Sequence, residues 1–277
     1  MGNKLVEGLS TMTTSSLQVT PDILVLQFTI VNVFMVNTSN NENDKWVLVD
    51  TGLENSAEFI LQSAEKQFGK DSRPEAIILT HGHFDHVGSV IKLTKHWDVP
   101  VYIHELELSY ITGKKDYPLA DPTVDNGMVA KMSTTFPHTS IDLGNHALAL
   151  PSDGSIPGMP GWKWIHTPGH TEGHISLFRE KDRVLIVGDA FSTVKQESLM
   201  SVLTQSEQIS GPPKYLTTNW NEAKKSIKHL LDLRPLLAIP SHGQPMEGEE
   251  LIRHLEMLVN DFDKIAKPKQ GHFVDIQ

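Results

Sequence analysis

Eight consecutive residues, His81-Gly82-His83-Phe84-Asp85-His86-Val87-Gly88, constrain this chain more than any other stretch of it. Three imidazoles and one carboxylate fall within six positions. These are the common nitrogen and oxygen ligands of zinc and other borderline transition ions. At the His and Asp frequencies of this chain, a chance H-x-H-x-D-H has a probability of roughly 2 in 1000. A histidine-rich surface loop or a few satisfied core histidines would have the same composition, so the rest of the chain must decide.

The 277 residues allow one large α/β domain, and a hydrophobic content of 39% is enough for a substantial core. The net charge of -10 argues against binding a phosphate backbone, which depends on clustered Lys and Arg. With no cysteine there is no disulfide, thiolate ligand or thiol nucleophile. The N-terminal run MGNKLVEGLSTMTTSS lacks the apolar stretch of a signal peptide, and Val6 breaks the myristoylation pattern. The longest apolar run, Ile23–Val36, is interrupted by Gln27, Thr29 and Asn32, so no membrane span is expected. The sequence therefore reads as a soluble, cytoplasmic protein acting on a small molecule, with no nucleic-acid or membrane partner. It leaves the oligomeric state open.

Residues 23–37 and 46–50 are β-rich, and NTSNNEND between them reads as a turn, which predicts antiparallel strands. Ala57, Ile60, Leu61, Ala64 and Phe68 form one apolar helical stripe. Asn55 and Glu58 have capping-box spacing, and Gly69 can end that helix. Ala76–Leu79 reads as a buried strand that runs straight into His81. A helix over Val87–Trp97 and a strand at Val101–Ile103 follow. Residues 105–160 are Pro-rich and read as helix and loop capping the site. Strands are expected at Trp162–His166, Ile175–Phe178, Val184–Val187 and Leu236–Ile239, with 192–218 a long loop. Helices are expected after Asn219, capped through Glu222, and across Leu251–Ile265. No Pro/Gly/Ser-rich linker interrupts the chain, so residues 1–277 read as a single domain.

Further candidate ligands each follow a β-run: His170 after Trp162–His166, Asp189 after VLIVG, and His242 after LLAIPS. In open α/β sheets, ligands bind at strand ends of this kind. A hydrolytic metal centre holds its ions through neutral imidazoles and carboxylates and keeps a position for water. Six terminal ligands and one bridge suffice for two ions, and the chain offers His81, His83, Asp85, His86, His170, Asp189 and His242.

The order D-T-G (Asp50-Thr51-Gly52), H-x-H-x-D-H, His170, Asp189 and His242 resembles the metallo-β-lactamase-fold superfamily over roughly Asp50–Gly243. The resemblance implies an αββα sandwich of two mixed β-sheets flanked by helices. It implies that His81, His83 and His170 hold one metal, that Asp85, His86 and His242 hold the second, and that Asp189 bridges them. Asp50 would support the metal shell by hydrogen bonding. It further implies two divalent ions, most simply Zn2+, and a metal-bound hydroxide attacking an ester-like carbonyl: lactone, thioester or ester. Asp85 would shuttle a proton to the leaving group. Asp189 stands where thiolate-bearing β-lactamases carry cysteine, so the chain is more similar to the glyoxalase II and lactonase group. The lactonase tyrosine after the bridging aspartate is missing from Asp189-Ala190-Phe191-Ser192, and Tyr215 is the candidate substitute.

Two other reactions fit related motifs, namely phosphodiester hydrolysis on the same metals and a mononuclear-iron persulfide dioxygenase. His174 reads as a structural histidine. His104, His138, His146, His229, His254 and His272 lack ligand spacing and are expected at the surface. Lys224, Lys225 and Lys228 read as a solvated helix face, although Lys214, Lys224 and Lys225 are also the basic residues that a glutathione-type substrate would need.

Overall fold

A computed structural model describes residues 14–39, 45–124, 128–194 and 209–274. They form two compact units. The first comprises the chain up to Tyr117 together with Pro137–Pro160, and the second comprises Pro118–Phe136 and the chain from Gly161 onward.

The first unit is built on a seven-stranded mixed sheet in sequence order: β1 (Ser15–Thr20), β2 (Ile23–Gln27), β3 (Asn32–Asn37), β4 (Trp46–Val49), β5 (Ile77–Ile78), β6 (Val101–Ile103) and β7 (Ala147–Ala149). β1 to β4 pair antiparallel, and β4 to β7 pair parallel. The stretch 23–37 is thus a hairpin of two strands rather than one. β1, with exposed side chains along most of its length, was not legible in the sequence.

Strand alternation sorts the core. Leu24, Leu26, Val33, Met35, Trp46, Leu48 and Ile77 share one cluster with Ala57, Ile60 and Ala64 of α1 (Ala57–Phe68). Val25, Phe34, Val36, Val47, Val49 and Ile78 point the other way and are equally buried. Gly69 ends α1 at φ 96, donating its N–H to Glu65 O. The Asn55–Glu58 capping box does not form, because a 3-10 turn over Glu54–Ser56 makes Ser56 the N-cap, without a side-chain bond. The helix expected at Val87–Trp97 is two helices, α2 (Phe84–Val87) and α3 (Val90–Trp97). Segment 105–160 contributes α4 (Leu108–Ile111) and also β7, a strand the sequence did not announce.

The second unit carries α5 (Met128–Met132) and a five-stranded mixed sheet. Its strands are β8 (Trp162–His166), β9 (Ile175–Arg179), β10 (Val184–Gly188), β11 (Leu237–Pro240) and β12 (Met246–Glu247). They lie in the order β12-β11-β10-β9-β8, and only β10 and β11 are parallel. Trp220, Ala223, Ile227 and Leu230 of α6 (Trp220–Asp232) and Leu251, Leu255 and Leu258 of α7 (Gly248–Asn260) pack with Leu185, Val187 and Ala238. Asn219 caps α6 as expected, its side chain accepting from Glu222 N–H at 2.9 Å. The last helix breaks at Asp261 into α7 and α8 (Phe262–Ile265). Residues 195–208 of the expected loop lie outside the described residues. Two mixed, helix-flanked sheets in an α/β chain agree with the architecture that the resemblance implies. No described helix is long and apolar enough to cross a membrane.

Asp121 ties the C-terminal stretch to this unit. Its Oδ1 accepts from Thr123 N–H at 2.9 Å and from the Thr123 hydroxyl, and its Oδ2 accepts from His272 N–H. Burial alone would raise its pKa. The hydrogen bonds from Thr123 and His272 outweigh that and hold the carboxyl below the ordinary range. A depressed folded-state pKa gives stability above about pH 4 that is lost as pH falls through the folded value. The wild type should therefore exceed Asp121→Asn in Tm at neutral pH, with the gap closing below about pH 4. A pH-independent gap in thermal melts would refute the assignment.

Gly88 is a packing constraint. A Cβ there would lie 2.4 Å from Glu54 N and 2.5 Å from Leu53 C, both backbone atoms. Gly88→Ala should cost about 1–3 kcal/mol, read as a lower urea midpoint at unchanged slope.

Candidate metal centre

β4 runs out at Asp50, which sits at φ 59 in the left-handed region that Asp tolerates better than most residues. Parallel pairing of β4 with β5 places it beside the start of the histidine motif. Its Oδ1 accepts from Thr80 N–H, and its Oδ2 accepts from the Thr80 hydroxyl and from His86 Nδ1–H, all at 2.8 Å. Thr80 has one hydroxyl proton and gives it to Asp50, so its oxygen accepts from His81 Nδ1–H at 3.1 Å. Both imidazoles therefore carry their proton on Nδ1 and their lone pair on Nε2. The Thr51 N–H and hydroxyl both donate to His86 O at 2.7 Å. His83 and Asp85, at the start of α2, are also buried.

Gly82 is clamped between His81 and His83. Its N–H points to Tyr117 Oη at 2.9 Å and to Glu107 Oε2 at 3.3 Å, and the Tyr117 hydroxyl donates to Glu107. The Tyr117 ring lies 4.5 Å from the His83 ring and stacks on Tyr110 at 3.8 Å. Burial pushes the Tyr117 phenol well above its ordinary pKa, and the Glu107 carboxylate adds to this, so Tyr117 remains a neutral donor. Neither residue was legible in the sequence, because 105–160 has no periodicity to mark them.

In the second unit, the Thr217 hydroxyl donates to Pro213 O at 2.8 Å and so accepts from His170 Nδ1–H at 3.2 Å. Again Nε2 carries the lone pair. Asp189 divides its carboxylate: Oδ2 lies 3.2 Å from His170 Nε2, and Oδ1 lies 3.2 Å from His242 Nε2. Its N–H donates to His174 Nε2 at 2.7 Å, and His174 Nδ1 faces Thr167 O at 3.1 Å. His174 is thus a buried positioning residue that acts on the Asp189 backbone. Gly188, at φ 63, must be glycine, since a Cβ would meet His174 Nε2 at 2.5 Å.

All seven residues singled out by sequence are buried. His81, His83, Asp85 and His86 lie together on one loop and turn of the first unit, and His170, Asp189 and His242 lie together in the second. Neutral imidazoles presenting Nε2, together with buried carboxylates, are the donor set of a divalent-cation site. The description of the Metallo-beta-lactamase superfamily matches residues 26–242. The chain belongs to that superfamily. Its family and these clustered His and Asp side chains make it a metal-dependent hydrolase.

A Bacillus subtilis (strain 168) protein named as the probable metallo-hydrolase YflN is 47% identical over 236 residues, covering 85% of this chain and 89% of its own. A second from that organism, YybB, with the same description, is 28% identical over 221 residues, covering 79% and 86%. Among solved structures, the B3 metallo-beta-lactamase BLEG-1 matches with a TM-score of 0.58 at 24% identity, over 89% of this chain and 99% of that one. TTHA1623 in a di-iron-bound form matches at 0.54 and 24% identity, over 85% and 94%. These two likenesses show the fold.

Several peripheral readings change. His104, expected at the surface, is buried, and its Nδ1 accepts from Leu106 N–H at 3.3 Å, capping the 3-10 turn Glu105–Glu107. Tyr215 is buried with its ring edge-on to Phe136. Lys224 and Lys225 pair with Asp263 and Glu222 and Lys228 with Asp232, a solvated face as expected.

Asp50→Asn keeps the shape but replaces one acceptor oxygen with a donor. It should lower metal affinity by about 10–100-fold with the circular dichroism spectrum retained. Chelator competition measures this, and unchanged affinity would remove Asp50 from the support of the site.

Proposed function

We propose that His81, His83 and His170 hold one divalent cation, that Asp85, His86 and His242 hold a second, and that Asp189 spans both. The reaction we propose is hydrolysis of an ester-like carbonyl, in a lactone, thioester or ester, with zinc as the metal. The observation that carries this reading is the divided carboxylate of Asp189, with one oxygen toward each of two buried imidazoles. Two such cations would supply Lewis acidity and water activated near neutral pH.

The chain's own part is orientation. Asp50 and Thr80 hold His81 and His86, Thr217 holds His170, and His174 holds Asp189. We assign a carboxylate oxygen of Asp85 to carry the proton to the leaving group. Aspartate in place of a thiolate at position 189 supports carbonyl-ester chemistry over that of the thiolate-bearing β-lactamases. From segment 105–160, Glu107 and Tyr117 brace Gly82, which supports reading that segment as cover for the site.

Elemental analysis of protein purified without chelators should find about two zinc ions per chain. The same sample should turn over a lactone, an aryl ester or a thioester. Asp189→Asn or His242→Ala should cut turnover by more than about a hundredfold, beyond the usual loss for a supporting residue, without unfolding the chain. Full activity in either variant defeats the ligand assignment. Turnover of an aryl phosphodiester alone would move the reaction to phosphodiester cleavage, and one iron per chain without hydrolysis would move it to persulfide oxidation.

A further inference from the structure

Beside the histidine motif, wholly within the first unit, lies a cavity of about 580 Å³. That is the size of a small-molecule site. Its apolar wall includes Leu53, Phe84, Val87, Ile91 and Ile141, and it also touches Gly82 and Tyr117. Phe84, Val87, Gly88, Ile91 and Lys95 follow helical spacing. Gly88 and Ser89 keep right-handed torsions between α2 and α3, so these side chains form one continuous stripe along the cavity. α3 buries Val90, Leu93, Thr94 and Trp97 on its core face. Ile91, on the opposite face, is 38% exposed, a large apolar side chain that the core does not use.

Lys92 and Lys95 sit one turn apart on the same wall. Among the described residues neither makes an ion pair, although the chain carries a net charge of -10 and Lys45, Lys224, Lys225, Lys228 and Lys264 are each paired with a carboxylate. Glu54 is the one acidic residue in the lining, so two cations face one anion.

We propose that this cavity binds the acyl portion of an amphiphilic anionic substrate. Its apolar chain lies along Phe84, Val87 and Ile91, and its remote anionic group meets Lys92 and Lys95. This rests on the ester-like reading above, because the motif that walls the cavity also carries the proposed ligands. It adds a preference for carboxylate-bearing acyl groups over neutral ones of equal length.

The test separates binding from turnover. The full chain is titrated with anilinonaphthalene sulfonate, an aromatic anion, and with the uncharged phenylnaphthylamine. Lys92→Gln with Lys95→Gln, both surface changes that leave the core intact, should weaken the anion about fivefold and the neutral probe less than about twofold. Ile91→Glu should weaken both. Glu54→Gln should tighten the anion alone. In kinetics, the double lysine variant should raise KM about fivefold for the aryl half-ester of a dicarboxylic acid while leaving KM for the neutral aryl ester unchanged. Unchanged anion affinity in the double variant overturns the proposal. If the anion discriminates as expected but neither ester is hydrolysed, the cavity assignment stands and the ester reading falls.

Discussion

The centre depends on one buried anion. Asp50 is fully excluded from solvent, and an isolated carboxylate there would be strongly unfavourable. Three donors offset that cost: the Thr80 N–H, the Thr80 hydroxyl and His86 Nδ1–H. The arrangement works because β4 and β5 are parallel neighbours, with Val49 opposite Ile78, so Asp50 leaves its strand level with the residues that lead to Thr80. The left-handed torsion of Asp50 then turns its carboxylate into the loop instead of along the strand. Thr51 fixes the far end of the same loop through His86 O. Two adjacent residues thus hold both ends of the ligand loop.

The second unit solves the same problem with different groups. A ligand imidazole has two nitrogens, and one must be committed for the other to face a cation in a defined state. In the first unit a carboxylate and a hydroxyl commit Nδ1. For His170 a hydroxyl does so, after its own proton has gone to Pro213 O. For Asp189 the device is inverted: His174 accepts from the backbone N–H and so sets the peptide that carries the carboxylate. Gly188 permits that approach, and any side chain there would displace His174. The supports differ in chemistry, yet each leaves the ligand atom with one orientation.

The sequence marked the candidate ligand segments because each begins just after an apolar run, and the runs are strands. Leu79 into Thr80-His81, Val187 into Gly188-Asp189 and Ile239 into Pro240-Ser241-His242 are changes of composition that periodicity detects. Asp50 was legible for the same reason. Tyr117 and Glu107 were not, since their contact with Gly82 joins residues 25 and 35 positions apart through a segment without a repeating pattern. β7 was missed because its three residues are half-buried or exposed, so no apolar run marks it. His104 was misplaced because a cap needs only local geometry, which spacing does not report. The 55–58 capping box failed because a 3-10 turn takes up the residues it needed, shifting the cap by one position.

Ligand chemistry leaves the x positions of H-x-H-x-D-H undetermined, and they do not serve one purpose. Gly82 is closed off, since a Cβ would lie 2.6 Å from Tyr117 Oη. Phe84, by contrast, opens onto the cavity. The single turn of α2 separates the two demands by angle: Asp85 and His86 take the ligand side, while Phe84 and Val87, three residues apart, take the other. Of the two, Val87 belongs to the buried core, whereas the apolar side chain of Phe84 is only half-buried and takes no part in the hydrogen bonds of Asp50 and Thr80. A conformationally fixed loop with a cavity wall beside it allows one chemistry to be kept while the accepted acyl group changes. Specificity in this chain is therefore expected to reside at Phe84, Ile91, Lys92 and Lys95 rather than among the ligands.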